Sequence, residues 1–318
     1  MPQLSDLGTF KFKYVTTGGF PFLEYLGSVV NATITGDKVN GELDSYQTLL
    51  TFCESRGDCF VLADPYCKPN RSLKATDQIN GSLYYDLNNY GSLSTSGSYG
   101  AVVYPHYYYM CQKATEYNTN IQKYNGIGRV LMPGSFAYLS ALAISLKTND
   151  DWLAIAGVTR GQVPYISYVY TTNKLTAAIA DSYQERDAKV NINAITEVQP
   201  YGYCIWGNRT TFDNSKNGNL VASSFLNIRN LVCDVKKTLW TACQKCLFEQ
   251  NTDVLWLNFQ SMVTPLLDKM VTGQGIKSYK IVKLPTAEKA KLVARVVLVP
   301  IYAIENIEVT VVLTDEDT

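Results

Sequence analysis

The segment Tyr201–Thr211, YGYCIWGNRTT, joins a short apolar strand to a long amphipathic stretch, so it decides how these two elements are arranged. Gly207 can adopt backbone conformations that other residues avoid, and Trp206 brings a large apolar side chain. Two interpretations are open. The segment is a packing corner, with Trp206 in the core and Arg209 paired locally, or it is a contact surface for another chain. The corner is favoured, and it would position the helix that follows.

That helix is predicted over Ser223–Phe248, because apolar residues recur there at intervals of three and four. It would span about 39 Å at the usual rise per residue. Basic residues occupy its other side: Arg229, Lys236, Lys237 and Lys245. These cations form a solvated face, or they meet an acidic partner in charge pairs that set register.

A second helix and three strands are predicted to complete the chain. The helix covers residues 252–271, with Asn251 or Thr252 as its cap and a kink or break at Pro265. The strands are Lys277–Leu284, Lys291–Val299 and Ile304–Leu313. Apolar residues alternate with polar ones in the last strand, at Ile307, Val309, Val311 and Leu313. It is the domain's own edge, or a neighbouring chain's strand pairs with this edge and completes the sheet.

In the first two thirds of the chain, predicted helices alternate with short buried strands, which is typical of an α/β fold. Cys59–Ala63 and Ala101–Pro105 are short, continuous apolar runs, as in strands that are buried on both faces of a parallel sheet. A helix is predicted before the first run, over Asp44–Arg56. Further predicted elements are a strand at Arg129–Gly134, a helix at Phe136–Leu146 capped by Ser135, a strand or tight loop at Asp151–Gly161 and a strand at Val190–Ile195.

The composition is globular, since 46% of the 318 residues are apolar and 18% are charged. Basic and acidic residues number 28 each, so the net charge gives no electrostatic footprint for nucleic acid. Apolar runs such as Leu292–Ile304 fall short of the roughly 20 residues that a membrane helix needs. The N-terminus has no secretory signal pattern. We therefore expect no membrane insertion, and folding in a cytoplasm with reduced cysteines.

The residues that could carry chemistry are few. Cys243 and Cys246 have metal-like spacing, but a closed zinc site needs four ligands, and core thiols are favoured. His106 is the one possible base of a protease triad with Ser135 and Asp64. It lies in an aromatic run and is expected to pack at a surface. Neither a phosphate-binding loop nor a dinucleotide fingerprint is present. The sequence therefore predicts no cofactor and no metal. If the chain is nevertheless an enzyme, the alternative function is that of an α/β hydrolase-like protein with an unrecognised active site.

Several segments, taken in order, resemble contractile tail sheath proteins. They are Leu49–Pro65, Ala101–Pro105, Pro133–Ala143, Trp152–Gly161 and Phe225–Arg229. The family's Gly-x-x-x-Trp-Gly-x-Arg-Thr pattern is matched by Gly202, Trp206, Gly207, Arg209 and Thr210. Each piece is weak alone, and their shared order carries the resemblance over residues 45–318.

The resemblance implies an α/β subtilisin-like domain without catalytic residues at 1–198, and an α+β sheath C-terminal domain at 199–318. The implied function is that of a sleeve subunit in a bacteriophage tail or a related injection system, and not that of an enzyme. The subunit would polymerise helically around a tail tube and contract to drive the tube through the target envelope. Implied partners are other sheath subunits, the tube protein, and baseplate and tail terminator proteins. The protein would be made in the bacterial host cytoplasm and reside in the virion.

The resemblance also assigns roles to particular residues. Arg229, Lys236, Lys237 and Lys245 become candidates for the surface that faces the tube. The C-terminal strand becomes a candidate for addition to a neighbour's sheet. The chain departs from the family at its start, where the N-terminal arm and an early Pro-Gly-Val-type segment are not visible. We therefore expect either a fragment or a divergent lineage.

Overall fold

The computed structural model describes the chain in blocks: residues 2–16, 49–64, 96–111, 123–124, 127–169, 180, 191–212 and 220–305. Predictions that fall on other residues, such as the Asp44 end of the first helix, lie outside the described part. None of the helices in these blocks combines the length and hydrophobicity of a membrane span.

A five-stranded sheet forms the centre of the molecule, in the order β1-β2-β3-β8-β9. Its strands are β1 (Tyr14–Thr16), β2 (Phe60–Ala63), β3 (Gly100–Tyr104), β8 (Ile192–Val198) and β9 (Gly202–Trp206). The first four are parallel, and β9 returns antiparallel beside β8. Every residue of β2 and β3 is buried. The expectation of a parallel sheet built from continuous apolar runs is therefore confirmed.

A second sheet is antiparallel and has the order β5-β6-β4-β7. Its strands are β4 (Tyr107–Cys111), β5 (Lys123–Tyr124), β6 (Ile127–Met132) and β7 (Ile166–Val169). Tyr108 of β4 and Tyr168 of β7 are paired in register, with ring centroids 4.5 Å apart. Cross-strand aromatic contacts of this kind stabilise a sheet.

Three helices accompany these sheets: α1 over residues 49–56, α2 (Gly134–Ser145) and α3 (Gly157–Arg160). α2 lies close against β3, since a Cβ at Gly134 would come within 2.7 Å of the Val103 carbonyl oxygen. The predicted cap was wrong. Ser135 lies inside α2, and the Asp64 carboxylate accepts its backbone N–H and its hydroxyl, each at 2.6 Å. The segment predicted as strand or loop at 151–161 contains α3 instead.

Two long helices follow, α4 (Leu226–Cys246) and α5 (Asp253–Thr272). A short 3-10 helix, Ala222–Ser224, precedes α4, so the α-helix begins later than predicted. Thr252 caps α5 through its side chain, which accepts the Leu255 backbone N–H. α5 continues through Pro265 without a break.

The antiparallel strands β10 (Ile276–Leu284) and β11 (Val293–Pro300) pair as a two-stranded sheet. One face of this sheet packs with α4 and α5 in an apolar core that is separate from the core around the five-stranded sheet. We call it the second core. Trp152 also belongs to that core, and its indole N–H donates to the Gly273 carbonyl at 3.0 Å. The second core therefore draws on residues from both predicted domains.

The predicted domain boundary at residue 198 falls between β8 and β9, which pair as neighbours in one sheet. The division of the chain into two domains stays a prediction. Residues 301–305 are described and form no strand. The rest of the predicted strand Ile304–Leu313, including Ile307, Val309, Val311 and Leu313, lies outside the described residues.

Candidate assembly interface

We call the segment Tyr201–Thr211 the corner. Its backbone is held by hydrogen bonds from a strand of the parallel sheet. Asn193 of β8 accepts the Arg209 backbone N–H at 2.8 Å and donates to the Arg209 carbonyl at 2.9 Å. The same amide donates to the Val102 carbonyl of β3 at 3.1 Å. Asn193 is fully buried, so these bonds satisfy polar groups that water cannot reach. One side chain thus joins two strands to the corner.

Asn208 connects the corner to the start of α4. Its carbonyl accepts the Leu226 N–H at 3.1 Å, and its side-chain oxygen accepts the Asn227 N–H at 3.1 Å. The first N–H groups of a helix have no partner within the helix. Asn208 therefore acts as a cap supplied from a distant part of the chain. The sequence interpretation missed this role, although Asn is a preferred capping residue.

The two threonines after Arg209 fasten the corner on both sides. Thr210 donates its hydroxyl to the Ser223 carbonyl at 2.7 Å. Thr211 donates its N–H to the Gly100 carbonyl of β3 at 2.9 Å. The corner thus joins β3, β9 and the 3-10 turn before α4.

The side chain of Arg209 has a charged partner that the sequence interpretation did not name. Its guanidinium is 2.5 Å from a carboxylate oxygen of Glu305, far along the chain, and lies 4.5 Å from the Phe225 ring centroid. Burial lowers the pKa of Arg209, and burial raises the pKa of Glu305 against the opposing effect of Arg209. A long-range pair of this kind leaves no signal in local sequence.

Trp206 differs from its predicted surroundings, whereas Gly207 has the kind of backbone conformation that was predicted for it. Trp206 is only half-buried, so its predicted place in the core was wrong. It ends an edge strand, β9, which limits how much of the ring the sheet can cover. Gly207 has φ +153° and Gly202 has φ +85°, conformations that favour glycine.

Arg229 does not belong to the exposed basic face of α4. It is buried, and its guanidinium donates to the Ser98 carbonyl at 3.0 Å and to the Ser98 hydroxyl at 2.6 Å. The Tyr99 ring stacks 4.0 Å from it. A short 3-10 helix, Ser96–Tyr99, covers this part of α4 and removes Arg229 from the candidates for a tube-facing surface.

The three lysines occupy less buried positions on α4. Lys236 and Lys245 are exposed, and Lys237 is half-buried. The Lys236 ammonium is 3.4 Å from the Tyr99 hydroxyl, so part of its role is local. Lys237 and Lys245 remain the stronger candidates for contact with another protein.

A partly buried ionic cluster connects α4 to the N-terminal segment. Lys13 pairs with Asp151 and, at 2.7 Å, with Asp234 of α4. Burial raises the pKa of Asp234 to about 6, although Lys13 acts in the opposite direction. One cation serves two carboxylates here, and the nearby Asp151 carboxylate also raises the pKa of Asp234.

The chain is similar to tail sheath proteins of contractile machines. No protein-family model matches the sequence. The tail sheath protein of Vibrio phage KVP40 is 24% identical over 210 residues. That match covers 63% of this chain and 29% of the phage protein, so the chain spans less than a third of this relative.

Two solved structures have a similar fold. A contracted sheath complex of the PVC extracellular contractile injection system matches with TM-score 0.58 and 16% identity, over 84% of this chain and 68% of that chain. The fold is that of a contractile sheath protein. A chain in the baseplate structure of the anti-feeding prophage matches with TM-score 0.55 and 15% identity, over 87% of this chain and 74% of that one. The resemblance predicted from the sequence is confirmed.

Large apolar side chains are exposed in the turn between α4 and α5 and in the first turns of α5. They belong to Leu247, Phe248, Val254 and Leu257. Phe248 is wholly exposed and has φ +68°, a left-handed conformation that costs free energy for any residue with a Cβ. Exposed apolar side chains of this kind are candidates for contact with another chain. We call these four residues the turn patch.

Cys243 and Cys246 were the cysteines with metal-like spacing. Cys243 is exposed, so the prediction of a core thiol was wrong for it, whereas Cys246 is half-buried and packs against the second core. Ala242, one residue before Cys243, is the last buried residue of α4 and belongs to the second core. In the described part of the chain, no cluster of three or more ligating residues suits a metal.

The residues considered for a protease triad are enclosed. Ser135 and Asp64 are fully buried and bonded to each other, and Thr16 donates its hydroxyl to Ser135 at 3.0 Å. His106 is buried as well, contrary to its predicted surface position. A serine with no solvent exposure whose hydroxyl donates directly to a carboxylate is a structural group, since attack on a substrate requires access.

Proposed function

We propose that this chain is a subunit of a contractile tail sheath, in a phage or in an injection system. Identical subunits polymerise helically around a tail tube, and contraction of the sleeve drives the tube through the target envelope. The observation that carries the proposal is the fold match to a contracted sheath over 84% of the chain. The order of sequence segments supports it independently, because it includes the corner that joins the sheet to α4.

The domain arrangement of the family fits the described elements. The parallel sheet with α2 would be the core of a subtilisin-like α/β domain. Its Ser135–Asp64 pair is a buried helix cap, which supports the absence of a proteolytic site. The helices α4 and α5 with β10 and β11 would form the α+β sheath C-terminal domain. The predicted limits, residues 1–198 and 199–318, are part of this proposal.

Polymerisation would use heterologous contacts that do not close, which generate a helix. β10 and β11 pair only with each other among the described strands, so each has an edge that another strand can join. The C-terminal strand, with Ile307, Val309, Val311 and Leu313, is proposed to add to a neighbour's sheet. Truncation after Glu305 tests this step, because a folded monomer that no longer polymerises is expected.

The tube-facing surface is proposed to include Lys237 and Lys245, with Lys236 at its border. An acidic tube would pair with these cations, and such contacts set register and weaken with ionic strength. Baseplate and tail terminator proteins are the proposed partners at the two ends of the sleeve. The proposed location is the virion, after synthesis in the bacterial host cytoplasm.

The mechanical work would come from closer packing of subunits in the contracted state, with no nucleotide required. Negative-stain microscopy of the purified protein tests the proposal, since tubes or stacked rings are expected. A hydrolysis assay with ester, peptide and nucleotide substrates should show no turnover. No observation on the described residues favours the hydrolase alternative.

A further inference from the structure

The last described residues of the chain fold back onto the corner. Ile301 donates its backbone N–H to the Gly275 carbonyl at 3.1 Å. Tyr302 packs edge-on against Phe225, with ring centroids 5.1 Å apart. Glu305 then reaches Arg209. We call residues 301–305 the strap, because they connect the end of β11 to the start of α4.

The strap is held by few groups. Tyr302 and Ile304 are 49% and 80% exposed, so apolar burial contributes little to its position. The Arg209 side chain, by contrast, is 3% exposed and the Glu305 side chain 29%. Arg209 also stacks on Phe225, the ring that Tyr302 contacts. The ion pair and the aromatic group therefore form one continuous contact.

The partly buried pair of Arg209 and Glu305 contributes more to the position of the strap than to the free energy of unfolding. Desolvation of two charges offsets much of their attraction, and the gain in a definite arrangement remains. The guanidinium is planar and directional, so its partner is held at one position. The corner that carries Arg209 is itself fixed by Asn193 on β8. The position of the strap is thus fixed relative to the central strands of the sheet.

We propose that Arg209 and Glu305 form a latch that sets the point and direction from which the C-terminal strand leaves the subunit. This inference rests on the proposed sheath function, because it names the device that presents the strand to a neighbour. A strand that departs from a fixed point meets its acceptor edge at high effective concentration. Fixing the strap before assembly also reduces the ordering cost on binding. Arg209 and Glu305 are positioning residues in this account.

Two readouts test the latch. The first is hydrogen exchange of residues 301–305 in the free subunit, where Glu305→Gln should accelerate exchange by roughly tenfold while the strands of the parallel sheet stay protected. The second is polymer yield by sedimentation and microscopy, which the same variant should lower. Arg209→Lys keeps the charge and loses the planar stacking on Phe225, so an intermediate effect is expected on both readouts.

The matched control is Glu288→Gln, which removes an exposed ion pair with Lys291 in the same part of the chain. It should change neither readout. The latch is overturned if Glu305→Gln leaves exchange in the strap unchanged, or if exchange rises and polymer yield stays at the wild-type level. Should the wild-type protein form no polymer at all, the sheath proposal fails, and the exchange result still decides whether the strap is latched.

Discussion

The side-chain amide of Asn193 pairs with the backbone of Arg209 as a peptide group in a neighbouring strand would. It accepts the Arg209 N–H at 2.8 Å and donates to the Arg209 carbonyl at 2.9 Å. Arg209 in turn pairs with Glu305, near the C-terminal end of the described chain. A buried amide in the central sheet therefore sets the position of the corner, and through it the strap.

Replacing Asn193 by Ala should destabilise the subunit. The buried Arg209 N–H would lose its partner, at a cost of about 1–3 kcal/mol for an unsatisfied buried group. Urea unfolding should report a lower free energy of unfolding. Asn258→Ala, on the exposed side of α5, is the control and should stay within roughly 0.5 kcal/mol of wild type. Equal stabilities of the two variants would contradict the role given to Asn193.

Phe248→Gly should have opposite effects on the free subunit and on the polymer. Glycine removes the cost of the left-handed backbone, so the free subunit should gain up to about 1 kcal/mol. Loss of the ring from the turn patch should weaken polymerisation. Thermal unfolding and sedimentation measure the two effects. Gln274→Gly is the matched control, because Gln274 has φ +59° and an exposed polar side chain. It should stabilise without reducing polymer yield.

Asp234 should make stability fall as pH rises through the weakly acidic range. Its pKa is about 6 in the folded protein and 3.8 ordinarily, so the folded state binds more protons between these values. The free energy of unfolding then decreases with rising pH across that window and levels off above it. Asp234→Asn should remove this dependence, as measured by urea unfolding at points from pH 4 to pH 7. Asp253→Asn, at a 95% exposed carboxylate, should retain it.

Charge reversal at Lys237 and Lys245 should reduce assembly on the tube while leaving the subunit folded. Both residues lie on α4, where a glutamate is tolerated by helix propensity. Lys236 is left unchanged because it contacts Tyr99. Sleeve formation on purified tubes is the measurement. Reversal of the exposed Lys147 and Lys289 is the control for net charge, and an equal loss in that control would contradict a specific tube-facing role.

The elements that the sequence predicted well are those set by local apolar pattern. β2, β3, α4 and α5 were found where continuous or periodic apolar residues indicated them. Arg229 shows the limit of such patterns. Its burial depends on Tyr99, which comes from a polar Gly/Ser-rich segment whose path no local rule specifies.

The contacts that hold the corner in place could not be predicted from the sequence, for a similar reason. Asn193 could have been noticed, because a polar residue in an otherwise apolar strand needs a buried partner. Its partner, Arg209, and the pairing of Arg209 with Glu305 follow only from the fold. The half-buried Trp206 was misjudged because its strand lies at the sheet edge.

The central claim is that this chain is a sleeve subunit, and electron microscopy of the purified protein tests it most directly. We predict helical tubes or stacked rings in the presence of purified tail tubes, and their loss in a variant truncated after Glu305 that still unfolds cooperatively. Dispersed monomers from the folded wild-type protein, with and without tubes, would contradict the account.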